Sequence, residues 1–173
     1  MKTRPLGKTG LDVTPICIGT SSLGNFPAQY GYEVDEERAI ATMLRVFEGP
    51  YNFIDTSNEY GGGESEKRIG KALARAGGLP PGFVLATKVD PPVGSNDFSG
   101  ARIRRSVEES LERLGVDHLE LVYLHDPEKT TFEDCMQKGG AVETMLALKE
   151  EGVIGHLGVA GGPIDLMLRF LAT

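Results

Sequence analysis

Phe53-Ile54-Asp55-Thr56-Ser57-Asn58-Glu59-Tyr60-Gly61 is the stretch on which the fold turns. An apolar run stops on a carboxylate and turns through Gly61-Gly62-Gly63. It then resumes with Ile69, Ala72, Leu73 and Ala76 at helical spacing. That reads as a strand over Tyr51–Asp55, then a helix that opens at Ser65 or a neighbour and stops at Gly77-Gly78.

The same unit repeats on both sides. Upstream, Asp35 is placed to cap a helix carrying Ile40, Met43, Leu44 and Phe47 on one face, ended by Gly49-Pro50. Before it lie an apolar strand, Ile16–Gly19, and a hairpin whose arms, Arg4–Leu6 and Leu11–Thr14, flank Gly7-Lys8-Thr9-Gly10. Downstream, a strand is predicted over Phe83–Val89. A helix follows from Ser99 with Ile103, Val107, Leu111 and Leu114 on one side, stopped by Gly115. Leu119–His125 is the next strand, and Val142, Met145, Leu146 and Lys149 mark the helix after it. His156–Val159 is the last strand, with Pro163 at the first turn of a final helix. Strands built on continuous apolar runs and alternating with helices specify an α/β chain with a parallel sheet. An open doubly wound sheet and a (β/α)8 barrel both satisfy that pattern.

The composition excludes several partners. The formal net charge of −7 has no basic run to offset it, so nucleic acid and anionic membrane surfaces are not expected partners. No stretch approaches the ~20 apolar residues of a membrane span, and the N-terminus lacks a signal-peptide pattern, so a cytoplasmic location is expected. Cys17 and Cys135 form no metal-binding or redox spacing, so no metal site is expected.

Polar residues gather at the C-terminal ends of the strands, the end that carries the active site in both parallel architectures. Successive strands end on Asp55, on Lys88 and on His125, and Tyr60 follows the first of them by five residues. Taken singly, a strand-end Asp is usually a turn former, a Lys a solvated charge and a His a structural hydrogen bonder. Taken together they suit proton transfer coupled to hydride transfer. Lys88 is expected to lower the tyrosine pKa from its usual ~10, Asp55 to hold Lys88, and His125 to donate a hydrogen bond to a carbonyl oxygen. Tyr60 then serves as general acid or base.

These residues resemble the signature of the aldo-keto reductases: a strand-end Asp, Tyr-Gly five residues on, Ser65-Glu66, then Ile69-Gly70-Lys71-Ala72-Leu73. Pro5–Thr14 resembles that family's N-terminal hairpin, Gly19-Thr20 its first strand end, Lys88 its strand-three lysine and Leu124-His125 its strand-four histidine. The resemblance implies a (β/α)8 TIM-barrel chain and an NAD or NADP cofactor bound without a GxGxxG fingerprint, which is absent here. It implies a small carbonyl or sugar substrate. It also places Gly19, Thr20, Ser21 and Asp55 near the nicotinamide riboside, and Ala160 and Gly161 at the carboxamide, where relatives carry Ser-Asn. Leu124–Glu128 and Gly158–Pro163 look most like the D-threo-aldose (L-fucose or galactose type) 1-dehydrogenase branch. A short-chain dehydrogenase would need Tyr-x-x-x-Lys, and position 64 is Glu.

A barrel of this type takes about 250 residues. Residues 1–173 are therefore expected to form the N-terminal portion of a single barrel domain, incomplete, with about five βα units after the hairpin. Such a chain alone is expected to bind NAD(P)H weakly and to be open to self-association through unpaired edges. A cofactor-sensing or scaffold protein of the same fold is the alternative. Phe26, Tyr30 and Tyr32, in the segment Ser22–Val34, either overhang the site or pack within their loop.

Overall fold

The computed structural model describes all of residues 1–173. A two-stranded antiparallel hairpin comes first, β1 (Arg4–Pro5) pairing with β2 (Asp12–Val13), with Arg4 opposite Val13. Five parallel strands follow in the order β3 (Ile18–Gly19), β4 (Phe53–Asp55), β5 (Val84–Val89), β6 (Leu119–His125) and β7 (Ile154–Ala160). Each strand pairs with the next in sequence, as in an uninterrupted βα barrel and unlike a doubly wound sheet, whose order reverses at a switch point. The observed architecture is this α/β, partial TIM-barrel arrangement.

The crossovers are α1 (Pro27–Tyr30) and α2 (Glu36–Phe47) after β3, α3 (Glu64–Ala76) after β4 and α4 (Gly100–Leu114) after β5. Next come α5 (Phe132–Met136) and α6 (Ala141–Glu150) after β6, with α7 (Ile164–Leu171) last. Their ends follow from local chemistry. The Asp35 carboxylate accepts from the Arg38 amide at 2.8 Å and the Ser99 hydroxyl from the Arg102 amide at 3.3 Å, so α2 and α4 are side-chain capped. Gly77 and Gly115 close α3 and α4 at φ +82° and +68°, a left-handed conformation that glycine adopts without steric cost.

The strand period of two sorts the side chains. Ile54, Leu85, Val89, Val122 and Leu124 join the core with Ile40, Met43, Ile69, Ile103 and Val107 from the helices. Asp55, Lys88, Tyr123 and His125 occupy the alternate positions, hence the other face of the sheet. Lys88 is in register with Tyr123, and His125 with Ala160.

Several boundaries and one face differ from the sequence reading. The first two parallel strands are shorter than predicted, two and three residues, while β7 begins at Ile154, two residues before His156. Pro163 caps α7 rather than lying in its first turn. On α6 the buried residues are Ala141, Met145 and Leu148, not Val142 and Leu146. Those two instead line an apolar groove shared with Leu157, Phe170 and Leu171, because α6 must face both the sheet and α7. The segment Ser22–Val34 holds a 3-10 turn (Ser21–Gly24) and α1. Its aromatics contact one another, Phe26 edge-on to Tyr30 at 6.4 Å and Tyr30 to Tyr32 at 6.0 Å. No helix is long and apolar enough to cross a membrane.

Candidate active site

Lys88 is the hub of the polar face. Its side chain is only 6% exposed, and Nζ donates to Asp55 Oδ1 at 2.5 Å, to the Thr56 carbonyl at 2.6 Å and to the Tyr60 hydroxyl at 3.2 Å. The ammonium also stands 4.8 Å from the Tyr60 ring centre. A buried ammonium with three donors needs three acceptors, and this site supplies them.

Tyr60 reaches Lys88 because the loop after β4 is pinned along its length. The Thr56 amide donates to the Ala86 carbonyl at 2.9 Å, and the Asn58 amide to the Lys88 carbonyl at 3.2 Å. The Asn58 side chain donates to the Ser106 carbonyl at 3.0 Å. Gly61, at φ +67°, lets the chain pass directly over Gly24, and a Cβ there would run into the Gly24 carbonyl. Behind the loop, Thr87 donates to the buried Glu66 carboxylate at 2.6 Å, and Arg113 bridges Glu66 to the Asn58 carbonyl.

The sequence led us to expect a lowered tyrosine pKa at this position. The structure corrects that expectation: burial pushes the Tyr60 phenol above its ordinary value. Lys88 does pull it down, by charge and by hydrogen bond, while Asp55 and Asp90 push it up. The pull loses chiefly because burial disfavours the charged phenolate, and the Asp55 and Asp90 carboxylates add to that in smaller measure. Tyr123, on the same face, lies higher still, at about 12, raised by burial and then by Asp55. Of the two phenols, only Tyr60 has Lys88 to stabilise its anion.

His125 closes the group, its ring edge-on to Tyr60 with centres 6.0 Å apart. Its Nδ1 lies 2.6 Å from Oδ1 of Asp90, a fully buried carboxylate just past β5 that the sequence reading missed. The other oxygen, Oδ2, accepts from the Ser57 hydroxyl and, at 3.2 Å, from the Glu59 amide. The signal was present as Lys88-Val89-Asp90: a period of two puts Asp90 on the same face as Lys88. The four sequence-predicted residues, Asp55, Tyr60, Lys88 and His125, thus come together, with Asp90 behind the histidine. His118 and His156 lie at the opposite end of the sheet beside Glu120.

Residues 15–171 match the model of the aldo/keto reductase family. The chain belongs to that family. It is 36% identical to the L-galactose dehydrogenase of Arabidopsis thaliana over 171 residues, 99% of this chain and 52% of that protein. Its fold superposes with a TM-score of 0.81 on the holo form of an aldo-keto reductase from Bacillus halodurans. That structure is 32% identical, and the match covers 99% of this chain and 54% of the other. An aldo-keto reductase from Klebsiella pneumoniae solved in complex with NADPH gives a TM-score of 0.76 at 27% identity, covering 99% and 54%. The chain spans about half the length of these relatives.

Within this aldo-keto reductase chain, the residues named for cofactor contact stand in different states. Gly19 is exposed at the strand end, with open space where a side chain would be. Thr20 is fully buried and its hydroxyl donates to the Asp55 carbonyl at 2.8 Å, while the Ser21 hydroxyl accepts from Tyr30. The Thr20 backbone is partnered too: its amide donates to the Asp55 carbonyl at 3.0 Å, and its carbonyl accepts from the Leu23 amide at 2.9 Å and the Ser65 hydroxyl at 3.0 Å. The Ala160 carbonyl already accepts from the Asp126 amide at 2.7 Å. Gly161 is exposed beside Glu128 and Met167, where a Cβ would press on both. Asp55 keeps 26% of its side chain exposed, and Lys88 bonds only its Oδ1. An acceptor oxygen and open glycine backbone around a buried ammonium fit the nicotinamide riboside end of a dinucleotide.

Proposed function

We propose that this chain carries the proton-transfer half of an NAD(P)-dependent oxidoreductase acting on an aldehyde, ketone or sugar hemiacetal, and that residues 1–173 form the N-terminal portion of one barrel domain. The observation that supports the chemistry is the single ammonium of Lys88, bonded at once to Asp55, Thr56 and Tyr60. The similarity to L-galactose dehydrogenase supports a sugar hemiacetal, oxidised to a lactone, over other substrates.

Gly19, Ser21, Asp55, Ala160 and Gly161 are the residues that would hold the cofactor, NADP or NAD, with Thr20 fixing the strand end beneath it. The bound nicotinamide supplies the hydride donor or acceptor. In reduction, Tyr60 donates its hydroxyl proton to the former carbonyl oxygen, and Lys88, 3.2 Å away, stabilises the phenolate left behind. In oxidation, the phenolate takes the proton of the substrate hydroxyl. Asp55 keeps Lys88 charged and aimed. Because the Tyr60 pKa is raised, the acid form prevails at neutral pH. Oxidation should therefore speed up as pH rises into the alkaline range, while reduction slows.

Tyr60→Phe, measured in the protein as its gene encodes it with a panel of aldoses and aldehydes, tests the assignment. Turnover should fall at least ~10²-fold with cofactor affinity nearly unchanged. Retention of more than about a tenth of the activity contradicts the acid–base role. Cofactor binding without turnover on any substrate would favour a cofactor-sensing protein instead.

A further inference from the structure

We infer that Asp90 is the positioning residue that decides which nitrogen of His125 carries the proton, and so whether its substrate-facing nitrogen accepts or donates. The functional consequence rests on the proposed function and on the role expected of His125 from the sequence, a hydrogen bond to the substrate oxygen.

The Asp90 carboxylate is held from three sides. Its amide donates to the Ser106 hydroxyl at 3.1 Å and Arg102 Nε donates to its carbonyl at 2.9 Å, fixing the backbone against α4. Oδ2 is filled by two donors, the Ser57 hydroxyl and the Glu59 amide. Oδ1 is left to face Nδ1 of His125, which also lies 3.3 Å from the Ser57 oxygen, an acceptor here because its proton goes to Oδ2. An ionised carboxylate only accepts, so Nδ1 must carry a hydrogen. A neutral imidazole has one N–H, which leaves Nε2 as a lone-pair acceptor.

The substrate-side nitrogen therefore has two modes. Neutral, Nε2 accepts a hydrogen bond from a hydroxyl, which matches a sugar hemiacetal. Charged, it donates, which matches a carbonyl oxygen. This narrows the donor role expected from the sequence to the imidazolium. The charged and titratable groups around the ring are Asp90 from the end of β5, Asp126 just past β6 with Oδ1 3.6 Å from Nε2, and Tyr60 and Glu59 from the loop after β4. Lys88 stands behind Tyr60, and Lys129 lies between Asp126 and Glu59 at 3.3 and 3.5 Å.

Asp90→Asn makes a specific forecast. The Ser57 and Glu59 donors need an oxygen, and asparagine has one. Its NH₂ group must then turn to Nδ1 and donate, moving the ring proton to Nε2. The experiment is long-range ¹H–¹⁵N correlation on the ¹⁵N-histidine-labelled 173-residue chain, at a pH where the imidazoles are neutral. With three histidines, His125→Gln assigns the signals. Wild-type His125 should show a protonated Nδ1 and a pyridine-type Nε2. Asp90→Asn should exchange the two shifts and leave His118 and His156 unmoved. Ser57→Ala, which keeps the carboxylate, should retain the wild-type pattern. A wild-type Nε2–H tautomer overturns the inference even if Asp90→Asn fails to fold, as does a folded Asp90→Asn with unchanged shifts. Loss of the pattern in Ser57→Ala overturns it too. Absence of turnover with every aldose would defeat the proposed function and leave this tautomer assignment standing.

Discussion

The β4–β6 part of the molecule and its β7 edge are built from the same strand–helix unit, yet they are held in unequal fashion. In the first, β5 is buried along its whole length, and α3 and α4 each bury six residues, charged Glu66 and Arg68 among them. In the second, α7 buries no residue at all, and Ile164, Leu168 and Leu171 are 73, 57 and 71% exposed. α7 rests on β7 through Phe170, and a side contact to α5 adds to that: Phe170 against Phe132 at 4.7 Å, and Arg169 stacked on Phe132 while bonding Glu133. Asp55, Tyr60, Lys88 and Asp90 all belong to the first region, whereas Ala160 and Gly161 belong to the second. The Lys88 cluster thus sits in the more deeply buried part of the molecule, and Ala160 and Gly161 in the more exposed one, where local opening is expected to be easier.

Ile69→Ala is the strongest way to break that comparison. Ile69 is fully buried at the centre of the core, and its truncation should cost about 2–5 kcal/mol in urea unfolding. Loss of less than about 1 kcal/mol would mean that the first region is no more tightly packed than the second. A site-level effect follows. Asp55→Asn removes the carboxylate that raises the Tyr60 pKa, so the tyrosinate absorbance of Tyr60 should appear at lower pH than in wild type. Difference spectra against Tyr60→Phe isolate that signal, and an upward move would show that Asp55 acts mainly by holding Lys88 in place.

Much of this was legible before any coordinates. The span Leu119–His125 was read to the residue because Leu121–Leu124 is a continuous run of strand-forming residues and Gly115 and Pro127 bound it. Asp55, Lys88 and His125 were legible because each lies at or one residue from the end of a strand, and strand ends share a rim in a parallel sheet. Asp90 was passed over because it follows β5 and is succeeded by Pro91-Pro92, which reads as a turn. The direction of the Tyr60 shift was out of reach for another reason. Sequence reveals the charge partners, Lys88 and Asp55, but not the burial of the phenol that outweighs the lysine. The α6 face was misread because Val142 and Leu146 satisfy helical spacing as well as the true inner stripe does.

A smaller effect should come from the caps. Ser99→Ala removes the side-chain acceptor at the start of α4, the helix that braces both Asn58 and Asp90, and should cost about 1 kcal/mol. Because the anchor of Asp90 sits about two turns further on, at Ser106, the amide signals of residues 90 and 102 should shift along with the stability.

The smallest expected effect is the sharpest test of the contrast. Leu168→Ser on α7 exchanges a mostly exposed apolar side chain for a polar one, so stability should change by no more than about 0.5 kcal/mol. Hydrogen exchange on the same variant adds the second half of the argument. Amides of β5 and β6 should exchange only with global unfolding, and those of α7 far sooner, in wild type and variant alike. If Leu168→Ser instead costs as much as Ile69→Ala, the apolar face of α7 is covered in solution. The β7 edge, with Ala160 and Gly161 on it, would then be as firmly set as the Lys88 hub.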